Sequence, residues 1–125
     1  MIKVKHLMDV AETDDGQRIW VEPHNLTRDL REWCEVDHVL PHLGPPMKAW
    51  NVLQKHRDAY EFFRAEYHQR LRSSPYRAAL QSLAVASRKE NFTLIHASDD
   101  AEHNAAMALF EFLSDLEAYC PPDAD

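Results

Sequence analysis

Eight polar residues fall where an α/β fold gathers its chemistry: Asp9, Glu22, His24, His96, Ser98, Asp99, His103 and Asn104. They follow three apolar runs that read as strands, and in an open parallel sheet ligands settle outside the carboxyl ends of the strands. A carboxylate beside a histidine can be tuned for general acid or base work, so Asp9, Glu22 and His103 are the catalytic candidates. His24, His96, Ser98, His103 and Asn104 are the candidate ligand contacts. His103 and Asn104 stand out because both are polar at a helix start, where apolar residues would serve for folding. Plainer readings stand beside these. Asp99 reads as a helix cap, Asp9 and Glu22 as solvated strand ends, and His96 as a hydrogen-bonded core histidine. His96 could still switch charge near neutral pH if it reached the rim.

A second constellation is Cys34, His38 and His42, at i, i+4 and i+8. Cysteine and histidine are zinc ligands, and one unbroken helix would face all three the same way. Pro41 interrupts such a helix, and no C-x-x-C pair is present, so a metal is not expected. The plainer reading is a polar turn with a half-buried Cys34. The G-x-S-x-G, Walker and G-x-G-x-x-G motifs are also absent, and the chain has only two glycines. A dinucleotide or P-loop enzyme is thereby disfavoured, and no cofactor is implied.

The elements that must position these residues are legible from periodicity. Residues 2–7 alternate as a strand, Asp15-Gly16 marks a turn, and residues 18–22 read as a second strand that Pro23 ends. Residues 24–46 are less regular: LTRDLREWCEV suits a short helix with Leu26, Leu30 and Trp33 on one side, before Pro41, Gly44, Pro45 and Pro46 forbid a longer one. Helical period then places Trp50 with Leu53. After a break near residues 56–58 it places Tyr60, Phe63, Tyr67 and Leu71 together. Ser74 and Pro75 read as N-cap and first residue of a helix that buries Tyr76, Ala79, Leu80 and Leu83. Residues 92–97 are apolar enough for a central strand. Asp99 and Glu102 form a capping-box-like pair for a last helix that buries Ala106, Leu109, Phe110, Leu113 and Leu116. The expected fold is a single Rossmann-like α/β domain over residues 1–118, with a small, mostly parallel sheet of three to four strands flanked by helices. Residues 119–125 read as a flexible acidic tail.

Composition narrows the function classes. The net charge is −7, which argues against a nucleic-acid binder. Residues 47–90 carry nine Lys/Arg against four Asp/Glu, a local +5 that leaves −12 elsewhere. That basic segment could attract an anionic small molecule or acidic partner, although solvated helix faces are the plainer reading. No apolar run approaches the roughly 20 residues of a membrane helix, and no signal-peptide core is present. Cys34 and Cys120 make no disulfide framework, so a cytoplasmic location is expected.

Several motifs resemble the domain-of-unknown-function-488 family, specifically its small YeaO-like branch. Thr93-Leu94-Ile95 stands where that family has an apolar strand, and Asp100 where it has an acid. Glu102-His103-Asn104-Ala105-Ala106 is similar to its Asn-containing helix opening. The aromatic run from Tyr60 to Leu71 and the Leu-Pro loop before Trp50 extend the likeness over roughly residues 2–116. The resemblance implies an α/β fold and no particular activity. One departure matters. The family carries Asp-Arg and then Trp-Pro-Arg-Gly after its second strand, whereas this chain reads Val21-Glu22-Pro23-His24-Asn25-Leu26-Thr27-Arg28. Glu22 keeps the acid, Pro23 replaces the arginine, and the Arg-Gly element is gone; if that loop binds an anion in relatives, the site is lost or rebuilt here.

Three functions fit these features. The first is a small-ligand-binding or regulatory domain without turnover, favoured by the eroded loop. The second is a small hydrolase- or transferase-like enzyme on a phosphorylated or nucleoside-like substrate, with Glu22 or Asp9 as acid/base and His103–Asn104 orienting. The third is a homodimeric interaction module using Trp20, Trp33 or Trp50, against a monomer for the other two.

Overall fold

The computed structural model describes residues 1–73 and 75–119, with side chains through Leu116. Ile2–His6 (β1), Gln17–Trp20 (β2), His38–Val39 (β3) and Phe92–His96 (β4) form one all-parallel sheet in the order β1-β4-β2-β3. Every residue of β4 is buried, as its unbroken apolar run requires for a strand covered on both faces. Five helices complete the α/β domain: Arg28–Trp33 (α1), Met47–Lys55 (α2), Tyr60–Arg72 (α3), Tyr76–Ala86 (α4) and Ala105–Tyr119 (α5).

Strand alternation divides the core in two. Ile19, Val21, Phe92 and Leu94 face a large cluster that holds Phe63, Tyr67, Leu80, Leu109 and Leu113 from α3, α4 and α5. Trp20 and Ile95 face the other way, onto Leu7, Cys34 and Val36.

That second face is held by ions as much as by apolar contact. The crossover from β1 to β2 contains no α-helix, only a 3-10 turn at Thr13–Asp15. Asp15 at its end is fully buried. Its carboxylate receives Arg18 Nη1 at 2.7 Å, Lys5 Nζ at 3.1 Å and the Glu12 backbone N–H at 3.1 Å, with Lys3 Nζ at 3.5 Å. Its carbonyl accepts the Thr93 hydroxyl of β4 at 2.7 Å. Burial works against the Asp15 charge, but the Glu12 N–H, Lys5 and Arg18 outweigh it and hold the carboxyl at about 2. Arg18 then reaches the carbonyls of Cys34 at 3.1 Å and Glu35 at 3.2 Å, bracing the end of α1. There the Glu35 N–H bonds Glu32 O and the Val36 N–H bonds Arg31 O, the paired bonds of a Schellman turn. Glu35 adopts φ 53°, a left-handed conformation that costs a side chain about 1 kcal/mol or more. Gly16, at φ 63°, meets a different limit: an added Cβ would lie 1.8 Å from Asn91 O. Only glycine lets β2 settle beside β4 at Gln17–Phe92.

Several sequence expectations change. The second strand ends at Trp20, and the added β3 pairs with it at Ile19–His38 and Trp20–Val39. Leu30 and Trp33 are exposed rather than buried, because six-residue α1 buries none of its residues and its flanks Leu26, Cys34 and Val36 make the contact instead. Ala79 is exposed and Ala84 takes the buried position on α4, while Phe112 joins the core beside a half-buried Phe110. Helix α4 opens at Tyr76, with Pro75 preceding it. The expected Ser74 cap and most of the expected tail, Cys120 included, lie outside the described residues.

Asp15→Asn is expected to lower stability by about 3–5 kcal/mol, since it strands the buried Arg18 guanidinium. Urea unfolding at pH 7 checks this. The depressed Asp15 value has its own sign: its contribution is complete above the ordinary carboxylate value of 3.8 and fades as pH falls toward about 2. The Asn variant should lack that acid-sensitive component.

Candidate functional site

The rim at the carboxyl ends of the strands is assembled by close backbone approach. Gly44 lies so near the end of β2 that a Cβ there would meet Val21 O at 2.4 Å. The Tyr67 hydroxyl, fully buried on α3, donates to Leu43 O at 2.6 Å and clamps the same turn from the other side. Helix α2 starts three residues after Gly44, which brings Trp50 over the residue that follows Val21.

That residue is Glu22. It is 3% exposed, and its Oε2 accepts the Trp50 indole N–H at 2.5 Å while Oε1 lies 3.5 Å from the Ala97 N–H. Burial pushes its carboxyl above the ordinary value, against the pull of the Trp50 and Ala97 hydrogen bonds and of the nearby His24. His24 is exposed, with its ring edge-on to Trp20 at 5.4 Å and to Trp50 at 5.3 Å. The Trp20 indole N–H fixes it further by donating to His24 O at 2.9 Å. Glu22, His24, Trp50, Gln54, Ala97, Ser98, Asn104 and Ala105 line a cavity of about 240 Å³. A second cavity, of about 340 Å³, takes in His6, Asp9, His96, Ser98 and Asp99. Ser98 borders both.

Other expected site residues are engaged in local structure. Asp9 sits in an exposed turn after β1, accepting the His6 N–H at 2.9 Å. His96 is 4% exposed, its Nδ1 accepts the Ser98 N–H at 3.1 Å, and its ring stands edge-on to His6 at 5.4 Å. Burial, reinforced by His6, lowers its value to about 4.

The start of the last helix differs from expectation. Asp99 is paired with Arg57 and caps nothing. Asp100 instead accepts the N–H groups of Glu102 and His103, each at 3.0 Å, which holds residues 101–104 out of helical geometry. Asn104, 1% exposed, is the true cap: its Oδ1 accepts the Met107 N–H at 2.8 Å and its Nδ2 donates to Asp100 O at 2.9 Å. His103 and Asn104 are thereby separated. His103 bonds Asp100 at 3.2 Å, packs edge-on to Tyr60 at 4.8 Å, and lines neither cavity.

Cys34, His38 and His42 do not share a helix. Cys34 is buried behind α1, His38 lies on β3 and bonds Gln17, and exposed His42 sits in the 3-10 turn Pro41–Leu43. Among the described residues, Glu12, Asp14 and Asp15 do bring three acidic ligand atoms together. Lys3, Lys5 and Arg18 already pair with that group.

The sequence did not mark Trp50 or Gln54 as site residues. Trp50 is 28 positions from Glu22 and reads as a helix-face aromatic. The only local hint is an indole N–H that a mostly buried tryptophan must satisfy.

Fold and rim together define a small parallel α/β domain with adjoining cavities at the carboxyl edge of its sheet. The chain belongs to the domain-of-unknown-function-488 family: the family model DUF488-N3i, described as the inactive DUF488-N3 subclade, matches residues 1–120. No curated protein and no solved structure matches it.

The buried histidine makes the rim acid-sensitive. A folded value of about 4 against 6.5 means that the unfolded chain takes up this proton first, so stability present above pH 6.5 is lost as pH falls toward 4. His96→Asn keeps an acceptor for the Ser98 N–H and should flatten chemical-denaturation midpoints over that window. Glu22 has the opposite sign. Its raised value favours the fold at low pH, and the benefit is lost as pH rises above the ordinary 4.5. Glu22→Gln, which retains an acceptor for Trp50, should melt higher than the wild type at pH 7.5, with the difference narrowing toward pH 4.5.

Proposed function

We propose that this protein is a small-ligand-binding or regulatory domain that holds its ligand in the Glu22 cavity without turning it over. The observation that carries this reading is the Trp50–Glu22 hydrogen bond of 2.5 Å, which fixes a buried carboxylate in the wall of the cavity. A catalytic acid or base has to reach a reacting atom together with a partner. Here Asp9 is engaged by a turn amide, His103 by Asp100, and Glu22 by Trp50. The "inactive" in the subclade description supports the same reading.

The enzyme alternative has Glu22 at the cavity but loses His103 as an orienting partner. The interaction-module alternative rests on Trp33, which is 80% exposed, because Trp20 is core at 1% and Trp50 bonds Glu22. No described helix is long and apolar enough to cross a membrane. The free, buried Cys34 thiol supports a reducing compartment, the cytoplasm.

A thermal-shift screen of metabolites, run on the wild type and on Gln54→Trp, tests the reading. Gln54 is an exposed α2 residue at the cavity, so the indole obstructs it without disturbing the core. A true ligand at a hundredfold excess over its Kd adds about 2.7 kcal/mol, or roughly 5–10 °C in Tm. The variant should show no such rise, and the recovered ligand should be chemically unchanged. Equal shifts in both proteins, or a converted ligand, would overturn the reading.

A further inference from the structure

We propose that the cavity beside Glu22 is a site for a small planar cation bearing N–H donors, of the guanidinium or amidinium class. The proposal rests on the binding reading above and adds the chemistry of the ligand.

Charge balance is its first support. Glu22 is 3% exposed, and its two hydrogen-bond partners, the Trp50 indole and the Ala97 amide, are both neutral. Asp15 gives the contrast within the same chain: equally buried, it is met by Arg18, Lys5 and Lys3. A buried carboxylate that bonds neutral donors alone, with the exposed His24 ring beside it, leaves electrostatic demand that a bound cation satisfies. Each carboxylate oxygen has two lone pairs, so Glu22 can hold the Trp50 N–H and still receive a forked pair of ligand N–H groups.

The wall around the carboxylate suits a flat ion. The His24 ring and the indole of Trp50 stand edge-on to each other, centroids 5.3 Å apart, and both border the cavity. Aromatic faces attract guanidinium-type cations, which stack as well as pair. Gln54, whose amide carries both an acceptor and a donor, also borders the cavity. A volume of about 240 Å³ is below the roughly 300–1,000 Å³ of drug-sized sites, which fits a small head group rather than a large cofactor.

An anion is opposed by the same surroundings. Asp100 and Asn104 already take the N–H groups of Glu102, His103 and Met107, the donors that a phosphate would seek at the α5 start. Arg57 is paired with Asp99. The anionic ligand expected from the basic segment 47–90 therefore finds a carboxylate in this cavity where it needs a donor.

Benzamidine, its neutral analogue benzamide, and inorganic phosphate are the probes, titrated into the full chain with the Trp50 indole ¹H–¹⁵N signal as readout. The wild type should bind benzamidine saturably with a shift of that signal, and benzamide at least about tenfold more weakly, as loss of a charge-assisted hydrogen bond implies. Glu22→Gln should lose a similar factor. If Glu22→Gln fails to fold, the benzamidine-to-benzamide ratio on the wild type decides alone. Equal binding of the two, or a phosphate-induced shift without a benzamidine one, overturns the cation assignment while leaving a ligand site in place. No shift with these probes overturns the cation assignment too. The binding reading itself then falls only if the metabolite screen also finds no ligand that Gln54→Trp blocks.

Discussion

The buried charge of Asp15 is the constraint on which most of the fold depends. Parallel strands of one sheet usually need a helical crossover, yet β1 and β2, which flank β4, are joined by a loop with one 3-10 turn. Asp15 does the work of the missing helix. It draws Lys3 and Lys5 from β1 and Arg18 from β2, while Thr93 of β4 bonds its carbonyl. Arg18 carries the connection onward to the carbonyls that end α1. One residue thus ties three strands together, by its carboxylate and its carbonyl, and through Arg18 the helix on the second face of the sheet.

Asp15 and Glu22 show what environment does to the same functional group. Both are almost wholly buried. Cations and a backbone N–H hold Asp15 down at about 2, whereas Glu22 is raised because burial exceeds what its neutral donors and the nearby His24 return. The first is internally satisfied and structural. The second meets neutral donors at the edge of a cavity.

Much of the scaffold was legible because it follows local periodicity. The apolar run from Phe92 to His96 read as a central strand and is one; Tyr60, Phe63, Tyr67 and Leu71 read as one buried helix face and are one. The errors arose where tertiary contacts decide. Asp99 looked like the cap of the last helix, but Asp100 takes the nearby amides and delays the helix to Ala105. Leu30 and Trp33 had a helical apolar period, yet their helix touches the sheet only through its flanks. The site was legible in part. Glu22, His24, Ser98 and Asn104 were placed at the rim from strand ends, and they line one cavity. Trp50 was missed as their partner because 28 residues and a Gly44 contact separate it from Glu22. His103 was grouped with Asn104 because they are adjacent in sequence, while the turn around Asp100 points them to different work.

The central claim is that Glu22 is a buried acid whose direct hydrogen-bond donors are neutral and whose burial outweighs them and the nearby His24. An NMR pH titration of its side-chain carboxyl carbon, in the ligand-free protein, measures this directly. The account predicts a midpoint above the ordinary 4.5, sensed at the same pH by the Trp50 indole N–H that donates to it. A midpoint at or below 4.5 would contradict it, because the carboxylate would already be compensated and the cavity would have no call for a cation.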